Sequence, residues 1–568
     1  MIETSTGPSA EQKGTSFGQW VRAWRYLFGL IGAIVVVVGF YAEENWRGEW
    51  AWRRVEADAQ RRNEPIDPAR FIPSKIPDRD NFAMTPALAP LFGFIPGTTQ
   101  RRPGIAPNPA LPRFESAERI VGDLKPKKAG SEIRSNSWVL AQTDLNSWLA
   151  AFLTPTNAHG QSEEKPITTN LPVAEAAGQV LGFLSEYEPL FDELREASHR
   201  PRSRFPIHYE QEDPASILIP HLAPLKNMCA ALRLRASAEL ASGKAEEALK
   251  DIELMFVICN STRDEPILIS QLVRTAQFKL ALQPIWEGMD QWSDSQLREL
   301  QEWLAGFDFC ADLRRALQAE RAFFGVGLIE YVRNSSDRNG VVSNLGRMDN
   351  NGSYALVGLM ISAAPNGWFY FEEANHSRIF EEYLLNTIEL TNRVIRPAVT
   401  RRATEESISL QSHSAPILFF RHKFFSALLL PWVGSLAPKA AFGQSAADNA
   451  LVACALQRYR LAHGEFPSTL EALKPFFGSD AGVDRLGSQT NAWTRGGPAR
   501  REGLPHDIIN GEPLKYRRTD KNHYVLYSIG WNEKDDGGKA GVYSTPADRP
   551  IFKENEKAQE GDWVWCPR

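Results

Sequence analysis

Cysteine is scarce in this 568-residue chain, and its five copies form no CxxC pair and no cluster at metal-ligand spacing. That excludes the zinc-ribbon and thioredoxin-like classes. Cys229, Cys259, Cys310 and Cys454 lie in helix-like apolar sequence, where a free thiol behaves as a small hydrophobe. A Cys229–Cys259 disulfide across a helical hairpin stays open at this level. Catalytic signatures are lacking too: there is no G-x-S-x-G, H-E-x-x-H, Walker loop or dinucleotide fingerprint. Gly325-Val-Gly327 has no third glycine and sits in helical sequence. A large charge of either sign is also missing. The formal net charge of −5 gives no electrostatic reason to expect nucleic acid as a partner. The sixteen Trp and thirty Phe are scattered, with no basic stripe between them, and are expected in the core.

One long apolar run is present. The seventeen residues Tyr26–Ala42 carry no charge, which is the lower limit for a helix crossing a hydrocarbon core of roughly 30 Å. Trp20, Trp24, Tyr26 and Tyr41 near its ends suit the interfacial aromatic belt. A cleavable signal peptide is the alternative, but Phe40 occupies a position where signal peptidase favours a small residue. The expectation is a single-pass anchor with the lipid bilayer as a partner. The Lys/Arg count on the two sides of the span leans against a cytoplasmic N-terminus, but it weighs less ahead of a long domain, so orientation stays open.

The rest divides by pattern. An N-terminal tail (1–25) and the transmembrane helix (26–42) lead into a charged helix and a Pro-rich connector (43–170). Pro86, Pro90, Pro96, Pro103, Pro107, Pro109 and Pro112 make that connector extended and not helical. Residues 171–405 carry helix periodicity and read as a helical bundle or irregular solenoid. Within them, Ala238–Leu249 resembles a tetratricopeptide helix-turn-helix, but no second copy follows at that period. Ser293 with Gln296 forms a capping box that opens a helix to about Ala305. Residues 406–439 form an apolar connector. Its stretch Ile417–Pro438, interrupted by Arg421-His-Lys423, reads as a buried or interfacial helix.

Residues 440–568 form an α+β module. Ala450–Ala462 is helix-like, and Gly464 stands where a left-handed helix end is needed. Pro467 to Leu473 starts a short second helix, and Leu514–Arg517 and Tyr524–Ser528 read as two strands joined by a polar turn. The fold class is therefore mainly α with a C-terminal α+β part, a long helix followed by a small antiparallel sheet. In this module Tyr459-x4-Gly464-x2-Pro467, then Asp507, Gly511, Pro513 and Tyr516, then Ser528-x-Gly530-x-Asn532 run in order. This series resembles the type II secretion pseudopilins. The cleavage sequence that precedes a pseudopilin helix is absent. The whole arrangement also looks like uncharacterised bacterial membrane-anchored proteins.

The resemblance implies a calcium site in the loop after the last of these motifs. Asn532, Asp535, Asp536 and Asp562 are its candidate ligands, hard oxygens beside flexible glycines; the plain alternative is a solvated acidic turn. It also implies a place on the extracytoplasmic face of a bacterial inner membrane. His208 and His221, flanking Glu210, Glu212 and Asp213, are expected in a solvated loop, and Glu372-Glu373 and Glu381-Glu382 on exposed helix faces. Two functional expectations result. One is a non-catalytic binding or scaffold protein with an unknown protein partner. The other is a hydrolase whose site is assembled from residues distant in sequence.

Overall fold

The computed structural model describes residues 17–95, 142–155, 167–347, 354–430, 436–477, 503–539 and 561–565, with short pieces at 100, 111, 133–134 and 542–543. Helix α1, Phe17–Arg61, is unbroken. Its apolar half stands exposed from Trp24 to Glu43, and it is long and apolar enough to cross a membrane. The charged segment after Ala42 continues that helix and docks. Gly48, Trp52, Val55 and Ala59 are buried at helical spacing, a narrow stripe among charges.

After α1 the connector wraps the body in single 3-10 turns, Pro68–Arg70, Asp78–Asp80, Phe82–Met84 and Ala89–Phe92. Asp67 and Asn81 cap two of these turns, and Phe82, Leu88 and Leu91 plug into the core. Pro96, Pro103, Pro107, Pro109 and Pro112 lie outside the described residues.

The body is a helical stack. Helices α2 (Leu145–Leu153), α3 (Val173–Leu184) and α4 (Glu188–Ala197) pack beside the hairpin of α5 (Leu222–Ala241) and α6 (Ala245–Asn260). Cys229 and Cys259 are buried free thiols, and Cys259 donates to the Arg274 carbonyl at 3.3 Å. No disulfide joins them; burial instead pushes the Cys259 thiol up to about 12. Helices α7 (Leu268–Glu287), α8 (Asp294–Leu304) and α9 (Phe309–Glu320) follow. The Ser293–Gln296 capping box opens α8 as the sequence predicts. A π-helical segment, Arg321–Gly327, then leads into α10 (Leu328–Asn334), α11 (Arg338–Arg347), α12 (Tyr354–Ser362) and α13 (Asn366–Ile379). A second π-helical segment, Phe380–Leu384, precedes α14 (Pro397–Gln411).

The apolar stretch after α14 is two short helices, α15 (Ala415–Phe420) and α16 (Phe424–Leu429). They break at Arg421–Lys423, where His422 takes a positive φ of 53°. Helix α17, Leu436–His463, starts fourteen residues before its predicted beginning. Its first half is rich in Ala, Ser, Gln and Asn and shows no apolar stripe because it is buried on all sides. Several of its polar groups find partners within the core: Gln444 accepts from Phe309 N–H and donates to Asp448, and Asn449 donates to the Trp563 carbonyl.

Gly464 ends α17 at φ +80°, and Leu470–Phe476 forms a 3-10 helix. Strands β4 (Lys515–Arg518) and β5 (Tyr524–Ser528) pair antiparallel, and Trp563–Trp565 (β7) joins the other edge of β5. Two small ladders complete the strands: β1 (Ile133–Arg134) with β6 (Val542–Tyr543), and β2 (Ile388–Glu389) with β3 (Val394–Ile395). The main core runs from α5–α9 into α17, Leu526 and Trp565 without interruption.

Candidate functional site

Chemistry-bearing side chains gather at several places among the described residues, a network of Arg195 and Arg235 on the buried Asp251 among them; two other places bear on function. In the C-terminal module, Asp507 is the organising residue. Its carboxylate accepts from Ile509 N–H, Ser528 Oγ–H and Ile529 N–H, each at 2.9 Å. It therefore ties the segment before β4 to the end of β5, joining two of the motifs in the pseudopilin-like series. Burial outweighs these donors and holds its carboxyl above the usual range. Gly530 needs its positive φ of 72°, and a Cβ there would meet the Gly561 carbonyl at 2.3 Å. This close approach brings Asp562 under the loop.

The four candidate ligands are partly brought together. Asn532 donates to Asp536 at 2.8 Å, and Asp562 accepts from the backbone N–H of Asp536 and Gly538 at 3.2 and 2.7 Å. Asp535 turns aside, accepting from Tyr527 at 2.9 Å and lying 3.7 Å from Lys515. Burial first, and then the charges of Asp536 and Asp535, push the Asp562 carboxyl up. The donor types suit a hard cation. Among the described residues, however, no three or more His, Cys, Asp or Glu side chains are gathered as a cage. Most of the long insertion before Asp562 lies outside the described residues.

The second place was not legible in the sequence. It is the joint between α1 and α13. A Cβ on Gly48 would lie 2.1 Å from the Gly367 carbonyl oxygen, and one on Gly367 would lie 1.9 Å from the Glu44 carbonyl oxygen. The two backbones touch. Asn45 accepts from Gly367 N–H at 2.8 Å, and Glu44 accepts from Trp368 Nε1–H at 3.0 Å. Tyr41 donates to the Ala363 carbonyl, and Arg62 pairs with Glu381 at the far end.

The opposite face of α13 buries Glu372, Glu373 and His376, so the expectation of an exposed acidic face is wrong for Glu372 and Glu373. Glu372 accepts from Phe424 and Phe425 N–H, at 2.8 and 3.1 Å, and so caps the start of α16. Glu373 pairs with Arg333 at 2.7 Å. Burial raises both carboxyls to about 8. His376 lies against Gly325, where a Cβ would meet its ring nitrogen at 2.3 Å. That contact gives the Gly325-Val-Gly327 pair a packing role. Burial, helped by Arg321, lowers His376 to about 3, so its imidazole is neutral.

No family model, curated protein or solved structure matches the chain. The remaining histidine cluster separates: His208, Glu210 and Glu212 are exposed, but His221 is fully buried. It meets Glu265 at 2.7 Å and stacks on Phe205 at 4.2 Å. The expected solvated loop fails for His221 because its carboxylate partner lies 44 residues downstream. Two hollows among the described residues, one beside Leu268 and Phe309 and one beside Phe92 and His208, hold about 10 and 20 Å³, room for one water each.

Proposed function

We propose that this chain is a non-catalytic scaffold or binding protein, anchored in a bacterial inner membrane with its body on the extracytoplasmic face. The observation that carries the reading is the unbroken α1, which passes from an exposed apolar run into the Gly48–Gly367 joint. A helix whose apolar half is solvated and whose other half is built into the core is a strut between a bilayer and a body. Secretion or envelope assembly is the process to which the pseudopilin-like end points, and the Asp507–Ser528 link supports that resemblance. Carbonate extraction of membranes and protease treatment of intact spheroplasts test the reading. The full chain should stay with the membrane, and its body should be digested without lysis. Release by carbonate would sink the anchor, and protection until lysis would sink the extracytoplasmic placement.

The proposal includes a calcium ion on the loop of Asn532, Asp536 and Asp562, with Asp535 joining them if it leaves Tyr527. What supports it is the geometry: Asn532 donates to Asp536 and Asp562 accepts from Asp536 and Gly538 N–H, so three side chains with hard oxygens share one Gly-containing turn. A ligand that binds only the folded state must stabilise it. Millimolar calcium should therefore raise the melting temperature of the full chain, and Asp562→Asn should abolish the rise. An unchanged wild-type melting curve would remove calcium from the account.

A further inference from the structure

Three contacts fix how high the body stands above the apolar run of α1. Tyr41, the second-last residue of that run, donates to the carbonyl of Ala363, just after α12. Glu44 holds the indole of Trp368 at 3.0 Å. Trp368 in turn packs edge-on against Phe419 and Phe420 of α15, with ring centroids 5.4 and 5.6 Å away. At 1.5 Å of rise per residue, Glu44 is only about 3 Å beyond Ala42 along the helix. The ends of α12 and α15 are therefore level with the end of the span.

At that level large apolar side chains point outward. Leu359 of α12 is 67% exposed, and Phe420 and Ile417 of α15 are 61% and 45% exposed. Helices α12 and α15 pack on each other, so these residues stand on neighbouring elements. Their neighbours Leu418 and Phe419 are buried, which leaves Ile417 and Phe420 as the free face of a short helix. Arg421, next in sequence, is exposed, and Trp46 stands exposed about 6 Å past Ala42 on the other side of α1. Apolar and aromatic groups beside a cation, at the depth where a span ends, match the headgroup region of a bilayer.

We propose that the face of Leu359, Ile417 and Phe420 lies in the headgroup layer of the bilayer that α1 spans, with Arg421 on lipid phosphates. The protein is then held by a span and by a platform. The inference rests on the anchor reading, since the bilayer is placed by α1. A lipid occupant is favoured over a second chain because the patch is joined to the end of the exposed span by the Tyr41–Ala363 contact and by the Glu44–Trp368–Phe420 series.

The test uses the full chain in vesicles of phosphatidylcholine and phosphatidylglycerol, in a Cys566→Ser background. A nitrobenzoxadiazole probe is attached at Phe420→Cys, at Phe40→Cys near the end of the span, or at Leu461→Cys on the distant end of α17. Lipids spin-labelled near the headgroup should quench the probe at 420 as strongly as that at 40, and leave 461 bright. Omitting phosphatidylglycerol should weaken quenching at 420 and not at 40. Quenching at 40 alone overturns the platform and leaves the anchor standing, and quenching at neither position overturns both. A blue-shifted but unquenched probe at 420 overturns the lipid occupant in favour of a protein contact.

Discussion

Gly48→Leu is expected to break the docking of α1 on α13 and to destabilise the body by roughly 3 kcal/mol or more. The reason is steric and local. The first atom added already lies 2.1 Å from a carbonyl oxygen of Gly367, and that atom is backbone, which cannot rotate away. The helices must separate, and separation costs the Asn45–Gly367 and Glu44–Trp368 hydrogen bonds and the cover over Trp52 and Val55. Gly39→Leu is the matched comparison. It lies in the same helix, and nothing stands within 4 Å of its Cβ position, so it should leave the melting temperature unchanged. Hydrogen exchange over residues 366–379 reads the outcome directly. If Gly48→Leu leaves both exchange and melting as in the wild type, α1 is not packed as described.

The second large effect is a loss of stability between pH 6.5 and 8. Burial raises Glu320, Glu372 and Glu373 to about 8 from the usual 4.5. A carboxyl with a raised folded value keeps a proton that the unfolded chain has released. Stability thus falls as pH climbs above about 4.5 and levels off once the folded groups ionise. His376 acts in the opposite sense, because its value is lowered to about 3 and the unfolded imidazole binds the proton first. Its contribution is lost as pH falls below about 6.5 and is constant above it. Between pH 6.5 and 8 the carboxyls therefore act unopposed by it, at on the order of 2 kcal/mol each. Denaturant midpoints at pH 6.5 and 8 should differ accordingly, and Glu320→Gln should remove one share of the difference. Equal midpoints would mean that these acids ionise inside the fold without cost.

What the sequence revealed is what local chemistry decides. The Ser293–Gln296 box, the left-handed Gly464 and the β4–β5 hairpin each depend on a few adjacent residues, and each stands where expected. The apolar run was plain for the same reason. The α1–α13 joint was hidden because its key residue, Gly48, has no side chain to signal burial. Trp46 and Trp50 beside it stay exposed, so hydrophobicity there pointed to the wrong face. Glu372-Glu373 and the start of α17 depart from expectation on similar grounds. A buried acid that caps a distant helix, and small polar residues paired within the core, look like surface until their partners are known. Of the candidate loop ligands, Asn532, Asp536 and Asp562 are brought together, and the turn of Asp535 toward Tyr527 depends on a strand neighbour that spacing cannot reveal.

The continuity of α1 has a mechanical consequence. Seventeen uncharged residues span about 26 Å as a helix, short of the roughly 30 Å of a typical hydrocarbon core. With a flexible tether the mismatch would stop at the membrane. Here the same rod is clamped to the body at Gly48, so any tilt or sinking of the rod is passed on to everything attached to it. With α1 spanning a bilayer as proposed, a thicker bilayer would draw the body down onto the lipid and a thinner one would lift it away, so the protein's height above the surface would follow membrane thickness.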